Sequence, residues 1–172
     1  MNAKLAAWNA AGEAEALDAM IACCGARRWA AAMVRLRPMA SALELSATAD
    51  REWSRMEEAD WLQAFACHPR IGERFPRRTA VANEKTAAWS RQEQSSTGNA
   101  DDGVLTELSE GNKLYEQRFG FTYIVCATGK TAGEMLAILN RRLASSRDAE
   151  LREAAEQQRQ IMQIRLGKWL VE

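Results

Sequence analysis

An all-α fold is what this sequence predicts, and three observations predict it. Good helix formers dominate, and only 3 prolines and 10 glycines occur in 172 residues. Apolar residues recur at helical spacing through most of the chain. Only one run is β-like, Phe119 to Ala127, and it has no second strand to pair with. The length suits one domain, residues 1–172, with enough chain to bury a core unaided. The expectation is a single-domain helical bundle.

The elements follow in order. Residues 1–10 read as a frayed lead or a short helix. Glu13 to Cys24 places Ala16, Leu17, Met20, Ile21 and Cys24 on one face, and Gly25 is a stop signal. Trp29, Met33, Leu36 and Arg37 suggest a helix ending before Pro38. Residues 41–58 carry Leu43, Leu45, Ala49, Trp53 and Met56 at helical spacing. Asp60 is placed to cap a helix that begins at Trp61. That helix must end near His68, because a residue before proline avoids the α region. Pro69 to Pro76 reads as a basic loop, and Thr79 to Gln94 as a helix. Ser95 to Gly103 reads as a loop by composition. Val104 to Arg118 is helical, Phe119 to Ala127 a buried extended segment or helix entry, and Thr131 to Leu143 an amphipathic helix. Asp148 is expected to cap a last helix reaching Trp169.

Composition excludes several classes. Lys+Arg and Asp+Glu number 23 each, so the basic excess of a nucleic-acid binder is missing. Cys23, Cys24, Cys67 and Cys126 contain no CxxC pair, which argues against a disulfide framework or a zinc site. Reduced thiols in a cytoplasm are the simplest reading. No signal-peptide pattern and no run of about 18 apolar residues is present, so no membrane association is expected.

Three places are able to carry chemistry. His68 is the single histidine, at a helix end beside a basic loop, and its ordinary pKa lies near neutrality. The plainer reading is a histidine with no task. Ser90, Glu93 and Gln94 share one helix face. They form either a capping box or a hydroxyl, carboxylate and amide set side by side, suited to a polar heterocycle or urea-like group. Arg165 falls inside the apolar stripe of the last helix, among Leu151, Ala155, Met162 and Trp169. An arginine there is costly unless paired. It is either a snorkelling or ion-paired residue or a fixed guanidinium for an anion. Thr128-Gly129-Lys130-Thr131 lacks the upstream glycine of a phosphate loop. Arg77-Arg78 and Arg141-Arg142 read as solvated faces or partner contacts.

Together, His68-Pro69-Arg70-Ile71-Gly72, Ser90-x-x-Glu93-Gln94, Tyr115, Phe119-Gly120-Phe121 leading into Ile124-Val125-Cys126-Ala127, and Arg165 between leucine-spaced positions resemble one family. It is the 2-oxo-4-hydroxy-4-carboxy-5-ureidoimidazoline (OHCU) decarboxylase family of urate degradation, a branch of purine metabolism. The resemblance spans Trp29 to Leu170. It implies an all-α fold, a homodimer, no cofactor and no metal, and (S)-allantoin as product. By position, His68, Glu93 and Arg165 match catalytic residues. Pro69, Ser90, Gln94 and the backbone of Tyr123, Ile124, Val125, Cys126 and Ala127 match substrate contacts. Tyr123 stands where phenylalanine is common, and Thr97 to Gly103 is irregular. Two rival readings stay open: a hydrolase of a ureido compound in the same pathway, and a non-enzymatic helical interaction module.

Overall fold

The computed structural model describes residues 2–71, 84–93, 95 and 101–172. Among these residues there are nine helices and no strand. They are α1 (Ala3–Ala10), α2 (Glu13–Cys24), α3 (Arg27–Arg35), α4 (Ala42–Trp53), α5 (Glu58–Phe65), α6 (Glu84–Glu93), α7 (Asp102–Phe119), α8 (Ala132–Arg142) and α9 (Arg147–Val171). The all-α expectation therefore holds.

Local chemistry explains most boundaries. Asn2 caps α1 by accepting from Leu5 N at 3.1 Å. Its far end is closed by Arg37, whose Nη1 donates to Trp8 O and Ala11 O at 2.7 and 2.9 Å. α2 ends as expected at Gly25, which adopts φ 86° and donates to Ile21 O. At the start of α8 the capping box is complete: Thr131 Oγ1 accepts from Glu134 N, and Glu134 reaches back to Thr131 N. Thr128 to Thr131 is thus a turn and a helix cap, not a phosphate cradle.

Several expected boundaries are corrected. The helix expected over 41–58 stops at Trp53, and Leu43 is 80% exposed because it faces away from the core. α5 starts at Glu58 rather than Trp61. Asp60 lies in its first turn, where Oδ2 accepts from Glu57 N at 3.1 Å and from Arg28 Nη1 at 2.9 Å. Leu36 falls just past α3 and is 44% exposed. Gly103 is helical, since Asp101 accepts from its N–H and starts α7 early. Ser146, not Asp148, caps α9: its Oγ accepts from Ala149 N at 3.3 Å, and Asp148 sits in the first turn. Val81 and Ala82 of the expected sixth helix lie outside the described residues, as do Arg77-Arg78 and the stretch 96–100 of the expected loop.

The chain forms two compact units, Met1–Ala64 with Arg159–Glu172, and Phe65–Gln158. In the first, α2 packs on α3 and α3 on α4. Trp29 is fully buried and its Nε1 donates to Ala49 O at 3.1 Å, so the ring carries no stranded donor. Trp8 and Trp169 meet edge-on with centroids 6.0 Å apart. In the second, α7 packs on α8, and a Cβ at Gly111 would lie 2.6 Å from Leu139 Cδ2, so the missing side chain permits this approach. Its core is aromatic: Tyr115 lies within 4.7 to 5.7 Å of Phe119, Tyr123 and Phe121, and Phe121 lies 5.5 Å from Phe65.

Candidate active site

The His68 stretch is built by a helix that is forced to stop. α5 ends at Phe65, His68 N donates to Phe65 O at 3.1 Å, and Pro69 forbids another turn. Cys67 is buried and His68 is half-buried. Two contacts to α7 then fix the residues after His68. Arg70 makes a forked ion pair with Glu116, with Nε to Oε1 at 2.7 Å and Nη2 to Oε2 as the second arm. Asn112, fully buried, donates from Nδ2 to Ile71 O at 3.0 Å and to Leu108 O at 2.8 Å. In the sequence Asn112 is only a polar residue among Leu105, Leu108 and Tyr115 on one helix side. Its role depends on Ile71, 41 residues earlier.

Ser90 lies in the body of α6 and is 2% exposed, beside buried Thr86 and Trp89. It is not at a helix start, so the capping-box alternative for Ser90 and Glu93 falls away. Glu93, one turn on, is half-buried. Gln94 lies outside the described residues.

Phe121 to Ala127 is neither helix nor strand, and Tyr123, Ile124, Val125, Cys126 and Ala127 are all buried. Buried peptide groups require partners, and without a sheet these come largely from side chains. Arg142 Nη1 donates to Ile124 O at 2.7 Å. Cys126 N donates to Gln157 Oε1 at 2.9 Å. Lys130 Nζ donates to Cys126 O at 2.8 Å, and Lys130 N to Ala127 O at 3.0 Å. The Tyr123 hydroxyl donates to Met135 O at 3.1 Å. None of the hydrogen bonds found among the described residues engages Val125, which sits between the first two anchors.

Arg142 corrects the expectation of a solvated Arg141-Arg142 pair. Arg141 is exposed, but Arg142 is 4% exposed. Its Nε donates to Glu150 Oε1 at 2.6 Å, and the Tyr115 hydroxyl donates to the same carboxylate. Its guanidinium lies 4.9 Å from the Tyr123 ring centroid. Burial pushes both tyrosine hydroxyls well above the ordinary value, with Arg142 opposing and Glu150 reinforcing the shift. Burial alone would lower Arg142. The hydrogen bond to Glu150 and the charges around it outweigh that and hold it above its ordinary value.

Of the sequence-predicted site residues, His68, Pro69, Ser90, Glu93 and Tyr123 to Ala127 belong to the unit Phe65–Gln158. Arg165 belongs to the other unit. It is 1% exposed within α9, and Leu151, Ala155, Met162 and Trp169 are buried along the same helix, as the stripe predicted. No group of three metal-ligating side chains occurs among the described residues. No helix among them is long and apolar enough to cross a membrane.

Comparison with known proteins converges on one family. A sequence profile of the OHCU decarboxylase family matches residues 9–167. The uric acid degradation bifunctional protein TTL of Arabidopsis thaliana is 35% identical over 147 residues, which is 85% of this chain and 44% of that protein. The chain thus spans less than half the length of that relative. A 2-oxo-4-hydroxy-4-carboxy-5-ureidoimidazoline decarboxylase of Amia calva is 31% identical, covering 80% of this chain and 77% of its own. A crystal structure of OHCU decarboxylase in the presence of (S)-allantoin superposes with a TM-score of 0.77 at 32% identity, covering 94% of this chain and all of that one.

Proposed function

The chain belongs to the OHCU decarboxylase family, and on that premise we propose that it is a carboxy-lyase that decarboxylates OHCU to (S)-allantoin in urate degradation. Residues 1–172 act as one catalytic domain in this reading, as a cytoplasmic homodimer that needs no cofactor.

The chemistry follows from the substrate. The bond to the carboxylate carbon breaks, CO2 leaves, and the bonding pair is delocalised into the unsaturated ring. One proton then quenches that centre from a single face, which sets the product's hand. The protein must orient the carboxylate, stabilise developing negative charge and direct the proton. His68 engages the hydroxyl or carboxylate and serves as general acid. Glu93 accepts hydrogen bonds from ring or ureido N–H groups, and Ser90 and Gln94 fix the ring. Pro69 and the backbone of Tyr123 to Ala127 line the substrate. Arg165 holds the anionic group with its planar fork.

One observation supports this reading most. Ser90 is buried in mid-helix with Glu93 one turn away, which supports a shared binding face over a helix cap. The test is to supply freshly made OHCU and follow CO2 release together with the optical activity of the product. Enantiomerically enriched (S)-allantoin, formed faster than in the spontaneous reaction, is expected. Racemic allantoin at the spontaneous rate would sink the proposal. His68→Asn should lower kcat by about 10²- to 10⁴-fold without moving Tm, whereas a non-enzymatic interaction module predicts no chemical consequence.

A further inference from the structure

We propose that Gln157 and Arg142 are positioning residues that clamp the backbone of the Tyr123 to Ala127 segment and so set where its peptide groups meet the substrate. The inference rests on the reading above, in which this segment contacts OHCU. Two side chains from α8 and α9, which take no part in the reaction itself, hold the segment in place.

The segment cannot hold itself. It has no helical ladder and, among the described residues, no neighbouring strand, yet its residues are buried. Arg142 grips Ile124 O and Gln157 grips the N–H of Cys126, one on each side of Val125. Val125 is left with peptide groups that no described residue engages. A buried peptide group flanked by two fixed anchors is a preset donor and acceptor for a polar ring. Both anchors are themselves oriented. Arg142 is locked by Glu150 and lies over the Tyr123 ring. The Gln157 amide donates from Nε2 to Glu153 Oε1 at 3.0 Å, which turns its Oε1 toward Cys126 N. Both side chains are carried on helices, which hold geometry more closely than loops do.

Gln157 provides the cleaner test, because Arg142→Ala strands a buried Glu150 and endangers the fold. Gln157 is only half-buried. Gln157→Ala removes the acceptor, while a glutamate variant, Gln157→Glu made together with Glu153→Gln, keeps an oxygen for Cys126 N–H and restores a donor–acceptor contact between positions 153 and 157. Steady-state kinetics on OHCU, thermal unfolding and amide hydrogen exchange at Cys126 are measured for the wild type and both variants. The alanine variant should raise KM about tenfold, with kcat changed by less than about threefold, because the lost contact serves ground and transition states alike. Cys126 exchange should accelerate, Tm should stay near the wild-type value, and the glutamate variant should recover most of the KM. A wild-type KM in the alanine variant overturns the proposal. So does an equal loss in the glutamate variant, or unchanged exchange at Cys126. A wild type that fails to turn over OHCU overturns the functional reading itself, and that failure appears before any variant is compared.

Discussion

Two acid–arginine pairs in this protein look alike on paper and differ in kind. Arg159 Nη1 donates to both carboxylate oxygens of Asp50, at 3.0 and 3.1 Å, with both side chains at least a third exposed, and Gln163 Nε2 donates to Asp50 Oδ1 at 2.8 Å. Glu150 and Arg142 meet almost wholly out of water, with the Tyr115 hydroxyl on the same carboxylate. In the exposed pair water competes for every charge, and the attraction is largely offset by ordering two long side chains. In the buried pair each charge has lost its hydration and depends on the other. The buried pair also spends a guanidinium N–H on a peptide carbonyl, at Ile124. Ion pairing therefore decorates a surface in one region and shapes irregular backbone in the other.

The comparison breaks if the two pairs prove interchangeable. The largest effect should come from Glu150→Ala. It leaves Arg142 buried without a counter-charge and should destabilise the protein by about 3 to 5 kcal/mol in urea unfolding. A loss no larger than that of an exposed pair would refute the distinction.

A second, smaller effect is pH-dependent. Tyr115 and Tyr123 are the only tyrosines in the chain, and burial raises both above the ordinary value of 10.0. A folded-state pKa raised above the unfolded one means the native state keeps its protons when the unfolded state has lost them. The stability they contribute is complete below pH 10 and drains as pH rises past it, by roughly 1.4 kcal/mol per tyrosine for each pH unit. Tyrosinate absorbance should accordingly stay low in the native protein above pH 10 and rise only together with unfolding. Titration of either ring in the folded protein near the ordinary value would contradict the buried network.

The smallest effect sharpens the other side. Asp50→Ala should cost less than about 1 kcal/mol, and the cost should shrink further in high salt. A salt-insensitive loss of several kcal/mol would place Asp50 with Glu150 rather than apart from it.

Much of the fold was legible in the sequence because its signals are local. The span of α2 and its glycine stop, the extent of α8 and the end of the helix before His68-Pro69 depend on residues near each other in sequence. The misplaced starts of α5 and α9 have the same origin. Asp60 and Asp148 are capable caps, and a helix accepts such a residue at its cap or inside its first turn. The candidate site was legible in part. His68 is marked by its proline, and Arg165 by standing where the stripe calls for an apolar residue. Ser90 with Glu93 was ambiguous, since capping box and mid-helix face are the same letters.

The sequence by itself determined the helical class, most helix limits and the residue types on which the chemistry is proposed to rest, because periodicity, caps and breakers act over a few residues. Only the tertiary structure decided how the stretch without secondary structure is held. Asn112 meets Ile71 across 41 positions, Cys126 meets Gln157 across 31, and Ile124 meets Arg142 across 18. Such pairings leave no local pattern. They exist because buried peptide groups must find partners wherever packing brings a side chain within reach.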